Sequence, residues 1–278
     1  MTAYIEMDDF RQTWVVAKNE ALKFVSGRRF LVYVILMALT FGLITFLPYV
    51  FGGSIGNTPG KVLSHYVSFI GYLVLLAATL FASVTIVSEF EERTALIVFP
   101  RPVKKTTFFV GKLLACFVLE AVMIVAFYAC VALVSLIAAG SVPFSALTSL
   151  GMALIYVFAA SGIATMISSL MKKGSTSAIL TFVVLLLIIP IVSGVMSSAG
   201  NMNAWFMLDQ ASTSISYCVP EYLAQVNQTI TDIMTQLGMD PTPYLIKAPD
   251  LIKAAGAMIA WGLVGYIIAW RAFLRREF

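Results

Sequence analysis

Apolar residues run along this chain in six blocks, at about 30–51, 66–87, 113–139, 144–170, 176–199 and 255–273. Each holds about 20 residues or more, and at about 1.5 Å per helical residue that crosses a hydrocarbon core of about 30 Å. The pattern predicts six transmembrane helices. The third and fourth blocks are the longest, which predicts tilt or ends that reach into the interface.

Two polar segments carry helical periodicity of their own. In the leader, Phe10, Trp14, Ala17, Ala21, Phe24 and Val25 form a stripe, with Arg11, Lys18 and Lys23 mostly off it. Asp8 or Asp9 is placed to cap such a helix, and Gly27-Arg28-Arg29 leads into the first block. This predicts an amphipathic helix in the membrane interface, as an anchor or as a docking surface. In the long segment 200–254, Tyr222, Leu223, Val226, Ile230, Ile233, Met234 and Leu237 recur with a period near 3.6. Pro220 sits at the expected first position of that helix and Gly238 just past its end. The expected fold is therefore all-α and membrane-integral. It is a six-transmembrane-helix bundle with an N-terminal amphipathic interfacial helix and a helix-containing outer loop between spans five and six. Residues 1–29 form the leader and 30–278 the membrane domain, with an inner loop at 88–112 and an outer loop at 200–254.

Composition agrees. Of the 278 residues 60% are hydrophobic and 12% charged, against about 25% charged in a soluble domain. The net charge of +4 matters less than its placement. Fifteen of the 18 lysines and arginines fall on one side of a six-span arrangement, leaving Lys61, Lys247 and Lys253 opposite. Basic residues stay cytoplasmic, so both termini are expected inside, in a multi-pass protein of the plasma membrane. The first block is too long for a signal h-region and reads as a retained span.

Little in the chain points to catalysis or metal binding. There is no CxxC and no His/Cys cluster, and Cys116 and Cys130 read as small apolar packing. Glu91-Glu92 faces no histidine on its own side, because the one histidine, His65, falls on the other. Gly60-Lys61 and Gly111-Lys112 lack the rest of a phosphate-binding GxxxxGK[ST] loop. No catalytic residue, metal ligand, bound cofactor or nucleic-acid partner is expected. Asn227-Gln228-Thr229 matches a glycosylation sequon. Glu120 is the one acidic residue well inside a block. A carboxylate there faces the protein interior, either as a substrate-contacting or gating group or in an interhelical hydrogen bond with Tyr128 or a Ser/Thr. Gly151, Gly162, Gly256, Gly262 and Gly265 read as close-packing positions. Pro190 and Gly194 predict a weakened fifth span.

The most specific segment is the inner loop. It opens Ser88-Glu89-Phe90-Glu91-Glu92-Arg93-Thr94, continues through an apolar run to Pro100-Arg101-Pro102-Val103-Lys104-Lys105, and closes with Gly111-Lys112. On physical grounds it is either a solvated connection or a rigid polar surface for a cytoplasmic partner. It resembles the cytoplasmic loop of type-2 ABC transporter permeases at Glu89, Glu92, Thr94, Arg101, Pro102, Val103, Lys105, Gly111 and Lys112. Arg93 stands where that family usually has glycine. The resemblance implies a permease subunit, in most such proteins an exporter, that pairs with a second permease copy as a homo- or heterodimer. It also implies that ATP and Mg act on a separate ABC ATP-binding subunit. Glu89, Glu92, Thr94, Arg101, Pro102 and Lys105 would couple the two. A channel or membrane scaffold outside that family is the alternative, and neither accounts for this loop.

Overall fold

The computed structural model describes residues 2–91, 104–199 and 204–275, with the side chains of 2–8 and 199 left out of the description. The leader helix spans Thr2–Val25. Among the described residues six helices follow that are long and apolar enough to cross a membrane: Arg28–Val50, Pro59–Glu91, Lys105–Ala139, Ser145–Leu170, Gly174–Ser198 and Leu251–Arg275. They are spans one to six.

The second and third helices overrun the apolar blocks that announced them. Span two begins at Pro59 and runs through Glu91, and span three begins at Lys105. Both ends of the inner loop are thus continuations of membrane helices. Helical hydrogen bonds close within the segment, so a helix proceeds into polar sequence until a breaker stops it. Hydropathy marks where the membrane ends, and the helix ends elsewhere.

Spans two and four are the most enclosed, and the others pack around them. Span one is peripheral. Its buried residues are Tyr33 and Ile44, and Tyr33 anchors it by donating its hydroxyl to the Leu73 carbonyl at 3.2 Å. Tyr33, Phe24 and Phe81 form edge-on ring pairs beside that bond. Span six lies against span four along a glycine seam. A Cβ on Gly162 would meet the Gly262 carbonyl oxygen at 2.6 Å, and one on Gly265 would meet the Gly162 carbonyl carbon at 2.5 Å. Backbone touches backbone there, as the small-residue pattern predicted. Gly151 and Gly256 are different: a Cβ on either has nothing within 4 Å, so neither belongs to the seam.

Spans two and five each contain one π-helical turn, at Ala78–Ala82 and Val184–Ile188. The latter lies just before Pro190. A proline inside a helix lacks an amide hydrogen and crowds the preceding turn, and a wider turn accommodates it. Span one also carries an internal proline, Pro48, whose carbonyl accepts from the Gly53 amide at 2.8 Å.

Between spans five and six come short helices at Leu208–Ser212 and Ser214–Tyr217, then the loop helix Pro220–Gln236. Pro220 opens that helix, and Gly238, at φ 69°, closes it. The left-handed conformation lets the Met239 amide reach back to the Met234 carbonyl at 2.9 Å. The side-chain amide of the sequon asparagine is engaged within the fold. Asn227 donates to the Ile246 carbonyl at 2.9 Å and accepts from the Ile246 amide at 2.8 Å. It pins the returning segment to the helix, so its amide is a structural group.

Candidate functional site

The two ends of the bundle are chemically distinct. At one end, the leader end, the leader helix lies across the start of span three. A Cβ on Gly111 would meet the Val16 side chain at 2.8 Å and the Thr13 carbonyl at 3.0 Å. Glycine at 111 is what admits this approach. Of the predicted apolar stripe, Ala17 is buried and Phe24 partly so, whereas Phe10, Trp14 and Val25 are exposed. The packed face is rotated toward Thr13, Val16, Ala17 and Glu20, leaving the large apolar side chains outward. The helix also starts at Thr2, so Asp8 and Asp9 lie inside it rather than capping it. Asp9 instead pairs with Lys104, just ahead of span three.

Glu20 of the leader, 8% exposed, is buried against Lys112 of span three, 1% exposed. The Lys112 ammonium lies 2.6 Å from Glu20 and 2.8 Å from Glu89 of span two. It also donates to the Thr85 carbonyl at 3.2 Å. That carbonyl sits where the helix of span two is interrupted at Ile86. The amides of Ile86 and Val87 are satisfied from the other side, both donating to Ser168 Oγ of span four at 3.1 Å. One ammonium and one hydroxyl thus hold a break in a buried helix whose own ladder leaves these groups unpaired. Lys23 approaches Glu89 at 3.9 Å, and Phe108 lies under the Lys112 ammonium at 5.4 Å.

Glu91 closes the arrangement. Its carboxylate accepts from the amide of Gly174, the first residue of span five, at 2.7 Å. A carboxylate there meets the positive end of the helix dipole. The leader end therefore joins the leader helix, the ends of spans two and four and the beginnings of spans three and five through polar groups. An apolar patch of Ile86, Phe108, Phe109, Ala269 and Phe273 lies alongside and brings in the end of span six.

Of the residues predicted to couple, Glu89 lies inside this clasp and Lys105 opens the helix of span three. Glu92, Thr94, Arg101 and Pro102 lie outside the described residues. Glu20 and Ser168 were not singled out from sequence. A lone carboxylate one turn past Ala17 on the leader's buried side was the available signal for Glu20. A serine in an apolar span gave none for Ser168.

Glu120 is fully buried in span three. Ser161 of span four donates its hydroxyl to one carboxylate oxygen, and Cys116, one turn earlier, donates to the other at 3.2 Å. The predicted Ser/Thr partner on another span is therefore Ser161. Tyr128 instead pairs with Ser149 at 2.6 Å. Cys130 is exposed on span three rather than packed inside. Packing on a helix follows azimuth, which a count of apolar residues does not register.

Six long apolar helices and a polar clasp at one end define a polytopic α-helical membrane protein. A family model for ABC-2 family transporter proteins matches residues 52–271. That is most of the chain, and it belongs to the ABC-2 family of transporter membrane proteins. No curated protein matches it.

Proposed function

We propose that this chain is the permease subunit of an ATP-driven exporter, in which two permease copies form the path and separate ATP-binding subunits supply ATP and Mg chemistry. Family membership supports a membrane transport subunit. The sequence holds no phosphate-binding loop, which accords with hydrolysis on another polypeptide. Most basic residues belong to the leader end, which accords with a plasma-membrane protein whose two termini are cytoplasmic.

The observation that carries the coupling is the clasp around Lys112. An ATP-binding subunit that pushes on the leader or on loop 88–112 would act on Glu20 or on the helix holding Glu89. Both converge on one buried ammonium at 2.6 and 2.8 Å, so either displacement is passed to spans two and three together. In this reading Glu89 and Lys105 position the loop ends, and Glu92, Thr94, Arg101 and Pro102 belong to the docking surface.

The test is co-expression with a candidate ABC ATP-binding subunit from the same genome, followed by purification and reconstitution. A stable complex is expected, with cargo-dependent ATPase activity that Pro102→Ala and Glu92→Ala reduce without loss of folding. A chain that recruits no such subunit, and whose transport is indifferent to both substitutions, overturns the reading. Glu120→Gln separates the two roles left open for that carboxyl. Unchanged transport with unchanged thermal stability assigns it to interhelical packing alone.

A further inference from the structure

At the opposite end of the bundle, the long-loop end, a half-enclosed cavity of about 320 Å³ lies between spans two, four and five and the loop helices. That is within the size range of small-molecule sites. Four tyrosines line it, Tyr72 from span two, Tyr156 from span four, Tyr217 and Tyr222 from the loop, together with the Asp209 carboxylate. The rings of Tyr217 and Tyr222 lie 5.9 Å apart at a 30° tilt. Tyr72, 58% exposed, stands at the mouth. The π-helical turn of span five supplies an apolar wall.

Asp209 has no ion pair among the described residues. Its side chain takes one long contact, from Gln210 Nε2 at 3.4 Å. Among the described residues, no lysine or arginine lines the cavity. In the sequence, residues 200–203 are Gly-Asn-Met-Asn and carry no charge. Two basic residues of the long-loop end belong to another cavity. Lys247 and Lys253 line a neighbouring cavity beyond Tyr217, where Lys253 pairs with Asp250 at 3.0 Å. Partial burial without a counter-ion raises the Asp209 carboxyl from its ordinary value.

A half-buried carboxylate among several aromatic rings attracts one ligand chemistry above others. A cation relieves the unpaired charge, and ring faces stabilise an ammonium within about 6 Å of their centroids. An anion is repelled by Asp209. A bare metal ion would find a single carboxylate where hard cations take six or more oxygens. We propose that this cavity binds an organic ammonium ion, its charged head against Asp209 and its apolar substituents among Tyr72, Tyr217 and Tyr222. Binding is a property of this chain alone, and regarding the ligand as cargo rests on the permease reading.

The experiment uses the full chain in lipid nanodiscs without any ATP-binding subunit. Phenyltrimethylammonium, its neutral carbon isostere tert-butylbenzene and the anion benzenesulfonate are titrated, with binding read by saturation-transfer NMR and competition. The ammonium should bind at least tenfold more tightly than either of the others. Asp209→Asn should weaken it about tenfold, while Asp209→Glu restores most of the affinity. Tyr222→Leu should cost several-fold and Tyr222→Phe little, because the ring face and not the hydroxyl holds the ligand. Size-exclusion profile and thermal midpoint establish that each variant folds. If Asp209→Asn fails to fold, the Tyr222 pair decides. Equal binding of the neutral isostere, or ammonium affinity unmoved by either set of variants, overturns the site. Those outcomes leave the recruitment of an ATP-binding subunit untouched, and failure of that recruitment leaves the ammonium measurement standing.

Discussion

At the scale of single residues, buried charge governs the leader end. Lys112 stabilises Glu20 and Glu89 only while all three stay together. Replacing it with Met leaves two buried carboxylates without their shared cation, and we expect a loss of about 3–5 kcal/mol. Thermal unfolding in nanodiscs checks this, and adding Glu20→Gln to Lys112→Met should recover part of the loss. Asp209 leads to a pH dependence. Its carboxyl is held above the ordinary value of 3.8 by burial, so on acidification it becomes neutral earlier than a free aspartate. Span two faces it with Tyr72, span four with Tyr156 and the loop with Tyr217 and Tyr222, while span five contributes no titratable group. Phenols do not change charge between about pH 4 and 8. Affinity for a permanent ammonium should therefore be full near neutrality and be lost on acidification at a higher pH than a free aspartate would give. The Asp209→Asn variant should show a flat, low profile in the same titration.

At the scale of elements, where two helices touch decides what a glycine does. Gly162→Ala places a methyl 2.6 Å from the Gly262 carbonyl oxygen. Backbone has little room to yield, so the seam between spans four and six should lose about 1–3 kcal/mol. Gly256→Ala, with nothing within 4 Å, should be neutral or stabilising by up to about 1 kcal/mol, since alanine is the better helix former. Comparing the two unfolding midpoints checks both expectations. From sequence the two glycines are the same residue in similar apolar spans. The leader shows the same limit. Its periodicity announced an amphipathic helix, and the helix is there. Yet the glycine at 111 lets span three approach the Thr13–Val16 side, so the contact face is rotated away from the largest apolar residues.

At the scale of the whole molecule, the charge distribution leads to a topology that labelling can check. With both termini cytoplasmic, a cysteine placed at the exposed Gln236 should react with a membrane-impermeant maleimide in intact cells. One placed at the exposed Asn19 should react only after permeabilisation. The reverse pattern would turn the protein over and move the Lys112 clasp to the wrong face for an ATP-binding partner. The arrangement also places both chemically distinct sites on span two, one at its leader end and the other near its middle. Lys112 and Ser168 bind its interruption at Ile86, and its Tyr72 stands at the mouth of the tyrosine-lined cavity.

The six spans, the amphipathic leader and the loop helix Pro220–Gln236, with its opening proline and the glycine past its end, were legible in the sequence. Length, periodicity and punctuating Pro and Gly are local properties, and helical hydrogen bonding is local as well. The inner loop's residues were legible as a family pattern, and the matched family agrees. Tertiary structure alone decided which polar groups meet. Glu20, Glu89 and Lys112 come from three separate stretches, Glu120 met Ser161 rather than Tyr128, and Asp209 gathered tyrosines from span two, span four and the loop. The physical reason is that an apolar helix carries no intrinsic preference for the face it turns to its neighbours. Close approach at small residues and the need to satisfy each buried polar group make that choice, and both depend on the partner helix.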